Sequence, residues 1–503
     1  MDKTYTKNQQ LRPLFDALVQ YSNSNVVPFD VPGHKIGNGN HKYFKDVVGE
    51  QIFKMDINSM KEMDNLSNPE GIIKEAEDLA ADLFQSDNAF FLVNGSTSGV
   101  QNMILASVSE GDKIIIPRNI HKSAINALVL SGATPVYIYP EINHEIGISY
   151  VSSIKETIRV INENPDAKAI LLLNPTYYGF ANDLKQIIDY AHKMGLIVLV
   201  DESHGTHFYL HSEFPTPSMS IGADLATISV HKTGGSLTQS SILLHNNGRI
   251  SVNKVRSVIN LSQSSSASYL LLSSLDMARY NLATNKSLIE NVLELSKYAR
   301  ISIDRIKGIN VVHTISNPNS ESHYHDISKL LLDIKHLGKT GFELYDILKK
   351  EYNIQIEFGE TFCILAIISV GDTKDSINSL ITALQDLSDR FYQETLQESV
   401  QNNLLPSEIK MTPRQAFFNE TQYIDIEQSV GKISGDQIMI YPPGIPLLLP
   451  GEVVTQNIIT EYKRLLQYGT KTVGSIKSNT IKIKVVKEEL SWKKHTQKTG
   501  QKM

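Results

Sequence analysis

An open, mostly parallel seven-stranded α/β sheet with helices on both faces, followed by smaller α+β units, is the architecture to expect. Seven short apolar runs recur between residues 89 and 245, and the apolarity within each is continuous. Strands of that kind are buried on both faces, which a parallel sheet covered by helices provides. Helix-period patterns fill the gaps between the runs. At 503 residues the chain is too long for one small core, so two or three domains are expected.

The elements follow in order. Residues 1–30 read as an arm with one helix, Leu11 to Tyr21. "VPGHKIGNGN" (31–40) is a loop by its proline and three glycines. "GIIKEAEDLAADLF" (71–84) sets Ile72, Ile73, Ala76, Leu79, Ala80 and Leu83 on one helical face. The seven strand runs are "AFFLV" (89–93), "KIIIP" (113–117), "TPVYIYP" (134–140), "AILLL" (169–173), "LIVLV" (196–200), "ATISV" (226–230) and "SSILLH" (240–245). "SGVQNMILASV", "HKSAINALVLSG" and "LKQIIDYAHKMG" are the helices between them. Residues 255–300 read as helical. The large unit is placed at 31–305, a smaller α+β unit at 306–400, and a last domain at 401–490. "NNLLPSEIKMTP" (402–413) reads as a linker. "YPPGIPLLLPGE" (441–452), stiffened by its prolines, is expected to lock the last domain onto the core. Residues 491–503 form a polar, disordered tail.

Composition narrows the function classes. A net charge of −6 gives no case for nucleic-acid binding. Cys363 is the single cysteine, so no intrachain disulfide forms, and a reducing cytoplasm fits best. The N-terminus has no apolar run of a secretory signal, and no stretch approaches a membrane span.

Ligands of an open parallel sheet bind beyond the carboxyl ends of its strands. There stand "NGSTSG" (94–99), "RNIHK" (118–122), "NPTYYG" (174–179), "DESHGTH" (201–207) and "HKTGG" (231–235), all polar and rich in reactive groups. Ser96, Thr97 and Ser98 at a helix N-terminus suit a phosphate; an ordinary helix cap with spare serines is the alternative. Asp201, directly after an apolar strand, needs a cationic partner. A protonated pyridine nitrogen serves; so does a metal shared with His204 and His207. His121 is a flat ring at a strand end, suited to stacking or to plain hydrogen bonding. Lys232 lies in "SVHKTGGSLTQSS" (229–241), a flexible stretch with hydroxyls such as Ser229, Ser236 and Ser240. Together, a phosphate cradle, a flat ring, an acid and a lysine after a later strand describe a pyridoxal phosphate (PLP) site. No metal is then required.

"DVPGHK", "NGSTSG", "PRNIHKSAINAL", "NPTYYG", "VDESHGTHF", "SVHKTGGSLTQSS" and "YPPGIPLLLPGE" occur in this order over nearly the whole chain. In them the sequence closely resembles the bacterial ornithine/lysine/arginine decarboxylases, PLP enzymes of the aspartate-aminotransferase-like fold (fold type I). The likeness is to the shorter branch, without the N-terminal wing domain. The resemblance implies that Lys232 holds the cofactor as a Schiff base. It implies that Asp201 pairs with the ring nitrogen and His121 stacks on the ring. Ser96, Thr97, Ser98, Ser229 and His231 bind the phosphate side, and His204 completes the cofactor's surroundings. Lys232 and His231 are the proposed donors of the proton that returns to Cα. The resemblance also implies that Ser265 or Ser266, in "SQSSSASY" (262–269), reaches the neighbouring subunit's cofactor and that His34 touches substrate at the dimer interface. Ser203 stands where the family often has alanine, a change expected to leave the chemistry undisturbed. The implied reaction converts arginine to agmatine, within polyamine biosynthesis, in a cytoplasmic homodimer. Lysine to cadaverine and ornithine to putrescine are the alternatives. Other fold-type-I chemistry, such as transamination, and a non-catalytic antizyme-like role stand further off.

Overall fold

The computed structural model describes residues 5–143, 145–313, 324–395, 407–441, 445–467, 471–477 and 480–487. The tail expected at 491–503, part of the linker and the middle of "YPPGIPLLLPGE" lie outside the described residues.

All seven apolar runs form one sheet: β1 (Asn88–Leu92), β2 (Lys113–Pro117), β3 (Thr134–Ile138), β4 (Ala167–Leu173), β5 (Ile197–Asp201), β6 (Leu225–Ile228) and β7 (Ser241–His245). Their order across the sheet is β1-β7-β6-β5-β4-β2-β3. Strand β7 runs antiparallel to both neighbours, and the other pairs are parallel. Six carboxyl ends therefore gather on one edge. There Leu173 pairs with Asp201, Asp201 with Thr227, and Leu92 with Ser241, where β7 begins.

Helix α1 (Ile72–Leu83) leads into β1, and three helices follow loops on that edge: α2 (Gly95–Ser107), α3 (Lys122–Ser131) and the short α4 (Val230–Thr233). Helix α2 crosses close to the sheet because Gly99 has no side chain. A Cβ there would stand 2.1 Å from Thr227 Oγ1. The stretch expected to be helical over 255–300 holds three helices, Val252–Ser262, Tyr269–Thr284 and Ser287–Ile303. "SQSSSASY" spans the break between the first two. The N-terminal helix runs Pro13–Ser22, with proline in its first turn, where a missing N–H costs nothing.

A second, four-stranded antiparallel sheet follows: β8 (Asn310–Val311), β9 (Lys329–Asp333), β10 (Phe358–Gly359) and β11 (Cys363–Ile367), in the order β8-β9-β11-β10. Its buried residues Leu330, Leu332 and Ile364 join the core cluster under the large sheet. Beyond residue 407 lie, among the described residues, two three-stranded sheets and the helices Pro413–Phe418 and Gln456–Gln467. The last region is fixed to the large sheet at Arg118, just past β2. This buried guanidinium donates to the carbonyls of Pro446 (2.7 Å) and Leu447 (3.3 Å) and to Glu452 Oε2 (2.9 Å).

Candidate active site

A cavity of about 420 Å³ opens on the edge where the six carboxyl ends meet. Five loops line it, contributing Ser96, Thr97, His121, Tyr177, Asp201, His204, Ser229, His231 and Lys232 among others. Every polar loop singled out in the sequence is present, because each follows a strand that ends on the same edge.

Helix α2 begins at Gly95 with no side-chain cap, so the N–H groups of its first turn are not taken by a capping side chain. The Gly95 N–H donates to the Gln239 carbonyl (2.8 Å), which ties this loop to the lysine loop. Ser96 Oγ lies 2.7 Å from Ser229 Oγ, both buried. This pair of hydroxyls beside an open helix N-terminus suits a phosphate. Ser98 departs from expectation. It is buried and donates to the Gly95 carbonyl (2.9 Å), satisfying its own helix turn and standing apart from the cavity lining.

Asp201 closes β5 and is buried. Ser203 N–H donates to its Oδ1 at 3.2 Å, and the Ser203 hydroxyl donates to the same oxygen. The expectation that Ser203 is chemically silent therefore meets a direct contact with the key carboxylate. His121 caps α3. Its Nδ1 accepts from the Ser123 N–H (3.3 Å) and pairs with the Ser123 hydroxyl (2.9 Å), leaving the ring toward the cavity. Desolvation lowers its pKa. Asp201 opposes that shift, and Lys232 adds to it.

Lys232 rides on α4 behind Ser229. Burial lowers its pKa against the opposing pull of Asp201 and Glu357, which enlarges the fraction present as a nucleophilic amine. The neighbouring His231 lies 2.8 Å through Nδ1 from the Ser240 carbonyl. Desolvation lowers its pKa as well.

His204 joins two lysines. Its Nε2 is 2.9 Å from Lys232 Nζ, and its Nδ1 is 2.7 Å from Lys329 Nζ. The Tyr177 ring packs edge-on against it at 4.7 Å. His207 turns away, to Asp326 (3.0 Å) and Thr233 (3.3 Å). The three side chains of the metal reading thus have separate partners. Lys329, Asp326 and Glu357 were not singled out in the sequence. They come from the second sheet and the turn before it. Tyr177 lay in a quoted loop without a role.

Two further expected residues, besides Ser98, lie outside this cavity. Ser265 is exposed in the break between two helices. His34 contacts Asp56 Oδ2 (3.1 Å) and accepts from the Gly37 N–H (3.1 Å).

A lysine amine, a buried carboxylate, a planar ring and a hydroxyl-lined helix start around one cavity form a donor set that fits PLP. With the sheet topology they define a PLP-dependent enzyme of fold type I. Residues 12–324 match the family model "Orn/Lys/Arg decarboxylase, major domain", and residues 393–476 match its C-terminal domain. The chain is 39% identical to the arginine decarboxylase of Bacillus subtilis over 96% of this chain and 99% of that one. It is 40% identical to the arginine decarboxylase of Halalkalibacterium halodurans over 95% and 98%. The lysine decarboxylase structure from Francisella novicida superposes with a TM-score of 0.83 at 23% identity, covering 95% of this chain and 81% of that one. This chain belongs to the Orn/Lys/Arg decarboxylase family. It is an amino-acid decarboxylase, and its cofactor is PLP.

Proposed function

We propose that this enzyme decarboxylates arginine to agmatine, with Lys232 as the lysine that carries the cofactor. The meeting of Lys232, Asp201 and the uncapped start of α2 in one cavity, each from a different loop, carries the reading. The names of the relatives at 39–40% identity support arginine over lysine and ornithine.

When bound, PLP supplies a conjugated ring that takes up the electron pair left by the broken Cα–carboxylate bond. The chain's own residues do the rest. Asp201 holds a proton on the ring nitrogen, and Ser203 steadies that carboxylate. Ser96, Thr97, Ser229 and His231 would hold the phosphate with the N–H groups of α2, and His121 would lie against the ring. Lys232 supplies the amine and stands, with His231, as a donor of the proton returned to Cα. Glu357 is the carboxylate offered to the distal guanidinium. It is exposed, hydrogen-bonded to the cavity residue Tyr177, and its charge acts on Lys232. A planar guanidinium can engage such a group through two hydrogen bonds.

The same proposal makes the protein a cytoplasmic homodimer with a large unit to about residue 305 and a small one to about 400. Exposed apolar side chains over 27–47, among them Val27 (74% exposed), Phe29 (94%) and Val47 (66%), support a covered face there. His34 and Ser265 then serve the partner's cavity. Among the described residues no helix is long and apolar enough to cross a membrane.

Carbon dioxide release from arginine, lysine and ornithine, measured side by side with product identification, tests the substrate. Arginine is expected to be fastest, giving agmatine. A faster rate on lysine overturns the substrate assignment, and a keto-acid product overturns the reaction. Lys232→Ala is expected to abolish both turnover and the borohydride-trapped cofactor adduct. Turnover at the wild-type rate in that variant would sink the site.

A further inference from the structure

His204 stands between two lysine amines, in contact with both, and the reaction as described uses only one of them. A neutral imidazole has one N–H and one lone pair. It can accept a hydrogen bond from one ammonium, not from two. A third charge on the ring itself is disfavoured, since burial and the two lysines hold the His204 pKa well below its ordinary value. The chain therefore holds at most one ammonium, and the tautomer of His204 records which lysine has it. We propose that Lys232, His204 and Lys329 form one proton-sharing chain, in which Lys329 stores the proton that Lys232 spends. This rests on the assignment of Lys232 as the cofactor lysine.

The transfer balances. Lys329 Nζ gives a proton to His204 Nδ1, and His204 Nε2 gives its proton to Lys232 Nζ. Lys329 ends as an amine, Lys232 as an ammonium, and the imidazole stays neutral with its tautomer reversed.

The surroundings suit both end states. Lys329 is fully buried on β9. Burial lowers its pKa to about 8; Asp326 and Glu357 oppose that shift, and Lys232 adds to it. Such a group gives up and regains a proton near neutral pH. Lys232 faces Asp201 and Glu357, which favour its ammonium form. His207 and His121 face His204 at longer range, and the edge of Tyr177 closes its side. His325 is occupied by Arg300 (3.0 Å) and the Tyr178 carbonyl (3.1 Å). Gly179 makes the room: a Cβ there would stand 2.8 Å from Lys329 Cγ.

The test uses the full-length protein. Borohydride trapping with peptide mapping comes first, and an adduct on another lysine sinks the site assignment itself. With the adduct on Lys232, the chain is tested separately by stripping the cofactor and following reloading with PLP by visible absorbance across pH. Lys329→Met is expected to raise the midpoint of that profile by about one pH unit, slowing reloading at pH 7 about tenfold. Lys329→Arg keeps the charge but cannot release its proton. It should keep a near wild-type midpoint while turnover falls at least about tenfold. A wild-type profile in a folded Lys329→Met protein overturns the proposal, and so does wild-type turnover in Lys329→Arg. Should these variants fail to fold, His204→Gln carries the test, since its amide bridges both amines but passes no proton. Wild-type turnover with an unchanged solvent-deuterium effect in that variant overturns the chain. A slower rate with a larger effect supports it.

Discussion

Asp201, His121, Ser96 and Lys232 reach the cavity from loops that leave the large sheet at its carboxyl edge. Asp326, Lys329 and Glu360 come from the second sheet and its turns, and they meet His207, His204 and Tyr178. The first group stands open to a ligand. The second is largely committed: Asp326 to His207 (3.0 Å) and to the Ser328 hydroxyl (2.6 Å), Glu360 to the Tyr178 hydroxyl (3.1 Å). Burial by itself would raise the Asp326 pKa. His207 and Lys329 overcome that and hold its carboxyl well below the usual range. One side of the cavity thus offers chemistry, and on the other Asp326 and Glu360 hold their neighbours in place.

Four measurements bear on that contrast. Asp201→Asn should cut turnover by about 10²- to 10³-fold, the scale of losing one preorganised electrostatic contact, while leaving the denaturation midpoint almost unmoved. Asp326→Asn should do the reverse. It leaves buried cations facing a neutral amide and should cost about 3 kcal/mol of stability in denaturant unfolding, with the cofactor adduct still trapped on Lys232. Equal stability losses in the two variants would erase the distinction.

Glu360 gives a pH signature. Burial raises its pKa to about 7, against the pull of the Tyr178 hydroxyl. The folded state then holds a proton that the unfolded chain releases near its ordinary value of 4.5. The corresponding stability is full below about pH 4.5 and lost as pH rises through about 7. Glu360→Gln should flatten that decline in unfolding measured at pH 5 and pH 7.5. Ser203→Ala should have the smallest effect, slowing turnover no more than about fivefold, the worth of one hydrogen bond of about 1 kcal/mol.

The large sheet was legible because each buried strand is a continuous apolar run and the polar residue after it marks the edge. Asp201 and Lys232 are of that kind. Ser98 stands apart from the cavity because three hydroxyls in a row cannot all face one way at a helix start; its Oγ donates back to the Gly95 carbonyl. Lys329 was hidden for a different reason. A lysine opening "KLLLDI" reads as a solvent-facing strand end, and its contact with His204 spans 125 residues of sequence. Local pattern carries no trace of a partner that far away. Glu357, in a bend just before β10, was hidden in the same way.

Arg118 stands three residues before His121, and all three of its acceptors come from residues 446–452. The first of them is made 328 residues after Arg118. Until then this guanidinium lacks these acceptors, and the loop bearing His121 lacks that anchor. The loop that bears His121 thus gains this tie only once residues 446–452 have been synthesised.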